Sequence, residues 1–331
     1  MLAVQFSAFG PPSEVAEAID IEGPGAPNEG EVVIAVEACP INPADLLLLE
    51  GKYGVLPKLP AFAGGEGIGK VQSVGTGVAN LKPGDRVLLP VGRGNWRERI
   101  KAPAKGLFAL PAGADPQQLA IARVNPPTAH LMLHDYVDLK PGDWIIQDAA
   151  NSGVGHAVIV LAKAAGCRSV NVVRREELRA PLRAIGADVV LVDGPDLAER
   201  VAAATGKAPV RLGIDAVGGA TAGRLAACLA DGGTLVNYGL LSGEDCRISP
   251  HELVFRDITV RGFWLAKWFQ TAKPAAIAAL YQTLIGLIVD GKLKVEVEAT
   301  YPLSAIKAAL AHAAKPSRNG KILLTPQGAG Q

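Results

Sequence analysis

The segment Ile146-Gln147-Asp148-Ala149-Ala150-Asn151-Ser152-Gly153-Val154-Gly155 runs from an apolar stretch into small residues that open a helix. Small residues let a backbone approach a bound group closely. The first turn of a helix adds unpaired N–H groups and the positive end of its dipole. Together these suit the pyrophosphate of a dinucleotide. The spacing is a degenerate G-x-G-x-x-G, with Ala150 and Ser152 at the first two glycine positions and only Gly155 strict. Regular strand–helix alternation on both sides favours the cofactor reading over a helix start that merely packs tightly. In such units the second strand ends in an acidic residue when the ribose carries a free 2′-hydroxyl. Here it ends in Val173-Arg174-Arg175. Guanidinium groups pair with a 2′-phosphate that a carboxylate would repel, so the expected cofactor is NADPH.

A second constellation is defined by what it lacks. A β-rich half ahead of a cofactor half resembles the zinc alcohol dehydrogenases, which carry a Cys three residues before an Asp and, later, a Gly-His-Glu turn. Here Asn42 holds the place before Asp45, and Gly65 the place before Glu66. Catalytic zinc takes three protein ligands of the Cys, His or carboxylate type, and an amide and a glycine do not replace them. No metal site is expected. Without a Lewis acid, carbonyl reduction needs another way to hold an alkoxide, and a conjugated C=C bond is the more suitable target. Asp45 and Glu66 read as capping or turn-bonding carboxylates. Cys39, Cys167, Cys228 and Cys246 are too scattered for a metal knuckle or a disulfide framework, and the histidines form no triad.

These residues need two kinds of scaffold. Up to about residue 122, short strands alternate with Gly/Pro turns: Glu31–Glu37, Gly67–Val71, Arg86–Leu89 and Trp96–Ile100. From Trp144 the rhythm becomes strand, helix, strand, helix. Strands are expected at Trp144–Gln147, Ser169–Val173, Val189–Val192, Arg211–Asp215 and Thr234–Val236, with helices at Gly155–Ala165, Glu177–Ile185, Leu197–Thr205 and Thr221–Leu229. Apolar strands separated by helices imply a parallel sheet covered on both faces. A long helical stretch from Phe269 towards Asp290, two short strands, a helix at Ser304–Ala314 and a strand at Lys321–Leu324 follow. The expected domains are residues 1–122, 123–268 and 269–331, the last returning to the first. A formal net charge of +1 gives no electrostatic case for nucleic acid or a membrane surface. The amino terminus alternates like a strand and has no basic leader, and the cysteines suit a reducing compartment, so a cytoplasmic protein is expected.

Ile41-Asn42-Pro43-Ala44-Asp45, Glu50-Gly51-Lys52-Tyr53-Gly54-Val55-Leu56-Pro57, Asn125-Pro126-Pro127-Thr128-Ala129, Ala150–Gly155 and Arg261-Gly262-Phe263-Trp264-Leu265 occur in order along the chain. In this set the chain resembles the zinc-free medium-chain dehydrogenase/reductases, in their mitochondrial-type trans-2-enoyl thioester reductase branch. The resemblance implies an α/β protein with a GroES-like β-rich catalytic domain and a Rossmann cofactor domain built on a doubly wound parallel sheet. It implies NADPH-dependent reduction of the C=C bond of an acyl thioester carried by CoA or acyl-carrier protein, in a homodimer. Tyr53 matches the catalytic tyrosine. Asn42, Phe263 and Trp264 match pocket positions. Asn125, Thr128, Asn151, Ser152, Gly153, Val154, Arg174, Arg175, Tyr238, Gly239, Phe263, Trp264 and Lys321 match positions facing the cofactor. Two departures stand out: Arg174-Arg175-Glu176 replaces the family's Arg-Asp-Arg, and Gly65-Glu66-Gly67 replaces Asn-Glu-Gly. An NADPH:quinone or alkenal reductase on the same scaffold is the nearest alternative, and a non-catalytic NADPH-binding protein a more distant one.

Overall fold

The structure, a computed structural model, describes residues 1–316 and 318–326. The chain divides into two compact units. Met1–Val124 and the chain from Ala278 onward form one, and Asn125–Ile277 the other.

The first unit begins with β1 (Leu2–Phe6), α1 (Pro12–Val15), β2 (Ala16–Asp20), β3 (Glu31–Pro40), α2 (Pro43–Leu49), β4 (Ala61–Phe62), β5 (Ile68–Val74), β6 (Arg86–Leu88), β7 (Arg99–Pro103) and α3 (Pro116–Ala120). Strand β3 is buried along most of its length because it pairs antiparallel with both β5 and β7. Its apolar side chains join Phe6, Leu89 and Trp96 in one core. The strand expected from Trp96 starts later, at Arg99. Arg97 donates through Nε and Nη2 to the carbonyls of Gly94 and Arg93, at 2.6 and 2.8 Å. Those bonds close a turn that drops Trp96 into the core and delays the ladder.

The second unit contains α4 (Asn125–His134), β8 (Trp144–Gln147), α5 (Gly153–Ala164), β9 (Arg168–Val173), α6 (Arg179–Ala184), β10 (Val189–Val192), α7 (Leu197–Thr205), β11 (Val210–Asp215), α8 (Gly219–Cys228), β12 (Thr234–Asn237), α9 (Pro250–Val254), β13 (Thr259–Gly262) and α10 (Leu265–Thr271). Its six strands form one parallel sheet in the order β10-β9-β8-β11-β12-β13. This is the Rossmann order, whose direction reverses between β8 and β11. Apolar clusters around Ile146, Val172 and Leu235, and around Ile159 and Val190, cover the strands. The helix expected over 177–185 is split. A 3-10 turn at Glu176–Leu178 precedes α6, which places Pro181 in the first helical turn, where its missing N–H costs nothing.

The chain re-enters the first unit within α11 (Pro274–Val289) and adds β14 (Val297–Tyr301), α12 (Ile306–Ala313) and β15 (Lys321–Leu324). The single long helix expected after Phe269 is two helices, α10 and α11. Pro274 opens α11 as its first residue and holds the preceding residue out of the helical region. Among the described residues one strand, β14, stands where two were expected. β15 pairs antiparallel with β3 and parallel with β14, which is the edge of that sheet; β2, β1 and β4 form a second sheet in the first unit.

Candidate active site

The turn after β8 is built for close approach. Ala149 sits at φ 42°, the left-handed region that an alanine rarely adopts, and reverses the chain directly after the strand. Ser152 caps α5, its Oγ accepting from Gly155 N–H at 3.0 Å. Gly155 is required sterically, because a Cβ there would lie 2.4 Å from the Ala150 carbonyl oxygen. Asn151, Ser152, Gly153 and Val154 therefore line a helix N-terminus at the carboxyl end of β8, on one side of the switch point, where dinucleotides bind in open α/β sheets.

Arg174 is exposed immediately after β9, and Arg175 precedes the 3-10 turn with its Nε 3.3 Å from Glu177. The carboxylate that departs from the family's pattern, Glu176, pairs with Arg179 at 2.5 Å in the following turn. Tyr238 and Gly239 follow β12. Burial pushes the Tyr238 phenol up, the neighbouring Asp148 carboxyl adds to this, and a hydrogen bond with Ser152 opposes it. A Cβ at Gly239 would lie 2.6 Å from the Ala216 carbonyl oxygen, so these two turns touch through backbone. Phe263 and Trp264 follow β13. Phe263 meets Tyr136 edge-on at 6.4 Å, and Trp264 is exposed at the start of α10. Asn125 and Thr128 are buried on α4. Asn125 Nδ2 is a buried donor with no protein acceptor, which is the condition of a group waiting for a ligand. A helix N-terminus, two cations after β9 and an orphaned amide fit a phosphorylated dinucleotide.

In the first unit, Asn42 caps α2, and Asp45 closes the capping box. Asp45 Oδ2 accepts from Asn42 N–H at 2.8 Å, and Oδ1 from Gly65 N–H at 2.9 Å. Burial raises the Asp45 carboxyl to about 6 against the pull of these two N–H groups and of Lys321. The Asn42 amide is used at both ends: Nδ2 donates to Glu66 Oε1 at 2.7 Å, and Oδ1 accepts from Lys321 Nζ. Burial pushes Glu66 up and Lys321 down, and each restrains the other's shift. Glu66 and Lys321 are joined through the Asn42 amide, a link hidden in the sequence because the two lie after β4 and on β15. At position 65 a Cβ would lie 3.1 Å from Asp45 Oδ1. An amide at 42 and a glycine at 65 do not fit a catalytic zinc, and among the described residues no group of His, Cys, Asp or Glu is arranged to hold a metal.

Tyr53 is half-buried on the loop after α2. Two backbone bonds fix the loop's departure, Lys52 N–H to Leu47 O at 2.8 Å and Gly51 N–H to Leu48 O at 3.2 Å. Gly51 takes φ 74°, with Phe9 packed where a Cβ would point. Sequence reasoning passed over Asp148 and Asp215, both buried at strand ends next to the cofactor turn. A carboxylate closing an otherwise apolar strand was the available signal.

Residues 28–112 match the alcohol dehydrogenase GroES-like domain, and residues 153–282 match the zinc-binding dehydrogenase family. The mitochondrial enoyl-[acyl-carrier-protein] reductase of Mus musculus is 37% identical over 98% of this chain and 88% of its own length. The chain belongs to the mitochondrial-type enoyl thioester reductases of the medium-chain dehydrogenase/reductase family. Two solved structures have the same fold. The complex of Etr1p with NADP and crotonyl-CoA aligns with a TM-score of 0.87 and 25% identity, covering 98% of this chain and 99% of that one. A putative NADPH:quinone reductase from Bacillus thuringiensis aligns with a TM-score of 0.90 and 29% identity, covering 98% of both.

Membership in this reductase family corrects the expected compartment. The relatives are named as mitochondrial, which overturns the cytoplasmic expectation. The features behind that expectation were not specific to an address: the first residues form β1 of the folded body, and unpaired thiols suit any reducing interior.

Proposed function

We propose that this chain reduces the C=C bond of a trans-2-enoyl thioester with NADPH. The observation that carries the reading is whole-length similarity to an enoyl-[acyl-carrier-protein] reductase, on a chain whose cofactor turn is followed by Arg174 and Arg175. When bound, NADPH supplies a hydride for the β-carbon of the substrate. Arg174 and Arg175 would hold its 2′-phosphate and Asn151 to Val154 its pyrophosphate, and Asn125 Nδ2, a buried donor, would find an acceptor there.

The chain's own residues manage charge and proton. As negative charge moves onto the thioester oxygen, the Tyr53 O–H donates a hydrogen bond to it and guides a proton to the α-carbon. Asn42 holds the Lys321 amine, with Glu66 on the far side of the same amide, at a position the family uses towards the cofactor. Phe263 and Trp264 supply apolar wall for the acyl chain. The first unit is read as the catalytic domain and the second as the cofactor domain. A homodimer joined through the second unit is supported by β13, an edge strand whose residues are all exposed, and by Val254 and Phe255, 69% and 78% exposed beside it. The acyl carrier is CoA or acyl-carrier protein.

Likeness to a quinone reductase favours one alternative, the same cofactor chemistry on a substrate without a thioester arm. NADPH oxidation with crotonyl-CoA set against a quinone separates the two. Turnover at least tenfold more efficient on the thioester supports the enoyl reading, and preference for the quinone rejects it.

A further inference from the structure

Strands β8 and β11 flank the switch point, and each leads into a buried aspartate: Asp148 directly after β8 and Asp215 at the end of β11. Three of their four carboxyl oxygens have protein donors. Asp148 Oδ1 accepts from Ala216 N–H at 2.7 Å. Asp215 Oδ1 accepts from the N–H groups of Val217 and Gly218, both at 2.9 Å. Asp215 Oδ2 accepts from Asn237 Nδ2 at 2.8 Å and lies 3.9 Å from Cys246 Sγ. The fourth, Asp148 Oδ2, is buried and has no hydrogen-bond partner, while Oδ1 of the same carboxyl is anchored to the N–H of the residue that follows Asp215. Two carboxylates cannot hydrogen-bond to each other unless one keeps a proton.

The other charged and titratable groups facing the pair do not supply a counter-charge. Asp193, beyond β10, is already neutralised by Arg224 at 2.5 Å. Tyr238 and Cys246 are neutral donors. Among the described residues neither Asp148 nor Asp215 has a cationic partner, so two buried negative charges would stand uncompensated there. Asp148 is also the residue before the Ala149–Ser152 turn, and Tyr238 N–H donates to the Asp215 carbonyl at 2.9 Å. The pair therefore links the two backbone turns that face the cofactor.

We propose that Asp148 is the neutral, proton-donating member of a carboxylic acid–carboxylate pair with Asp215, and that NADPH binding requires this shared proton. Asp148 is a positioning residue: its proton ties the end of β8 to the end of β11 and keeps a second negative charge from beneath an anionic cofactor. Burial, with Asp215 beside it, pushes the Asp148 carboxyl well up from its ordinary value. The sign follows. The contribution of the proton to stability is complete below the ordinary carboxyl range and is lost as pH rises through the raised value. The claim about affinity rests on the NADPH reading, whereas the claim about the proton does not.

The test is Asp148→Asn, which keeps the shape and donates from Nδ2 without a titratable proton. NADPH affinity of wild type and variant is measured by cofactor fluorescence from mildly acidic to alkaline pH, and urea unfolding of both is followed over the same range without cofactor. In wild type, the folding equilibrium weakens towards a limit of about tenfold per pH unit between the ordinary carboxyl range and the raised value and levels off above it, whereas affinity holds up to the raised value and falls towards a limit of about tenfold per pH unit once Asp148 ionises. In D148N both falls are absent. Parallel curves for the two proteins, or a wild-type affinity and stability level throughout, overturn the proposal. Absence of NADPH binding at every pH rejects the cofactor reading, and the unfolding curves then decide the proton alone.

Discussion

A single phenol carries most of the proposed chemistry. Tyr53→Phe removes only the O–H, so turnover with an enoyl thioester is expected to fall by ~10²–10⁴ while NADPH affinity measured by fluorescence titration stays close to wild type. Arg174→Ala tests the cofactor end. Loss of charge-assisted hydrogen bonds to a phosphate, worth about 1.5–3 kcal/mol, raises KM for NADPH by roughly 10–150-fold and leaves KM for NADH nearly unchanged. At this scale the sequence was uneven. The expectation for Arg174 could be drawn from the sequence because a cation at the end of a second strand has a direct electrostatic meaning. Tyr53 alone, in a Gly/Pro loop, had none and was visible only through the motif around it. Glu66 with Lys321 and Asp148 with Asp215 were not legible, because each pair joins residues far apart in the chain and its meaning lies in burial and in which oxygen lacks a donor.

Elements depend on rules that local sequence carries well and on others that it does not. Strands β8, β10 and β15 and helix α7 lie where apolar periodicity placed them. The departures have local causes: Pro181 splits the helix after β9, Pro274 divides α10 from α11, and the Arg97 turn displaces β7. β13 escaped notice because it is only four residues long and ends at Gly262, too short a run to stand out as a strand. The β8–α5 junction offers the sharpest test of element packing. Gly155→Ala puts a methyl against the Ala150 backbone at 2.4 Å, which has nowhere to move without opening the strand–helix contact. The variant is expected to lose about 1–3 kcal/mol in urea unfolding and to bind NADPH more weakly. Unchanged stability would mean that the turn tolerates a wider approach than described.

For the whole molecule, the α/β class and the enoyl thioester reductase family were legible because many short motifs fall in one order along the chain. The compartment was not, because the residues consulted for it serve the fold. Assembly is testable at this scale. Val260→Lys places a charge in the exposed edge of β13, and light scattering should show a wild-type dimer become a monomer. A monomeric wild type would remove the dimer from the account. The most direct test of the central claim is NADPH oxidation by the purified wild-type chain with crotonyl-CoA, with the product identified by mass. One NADPH consumed per saturated butyryl thioester formed is the predicted result. Cofactor binding without any reduction of the thioester double bond would contradict the account.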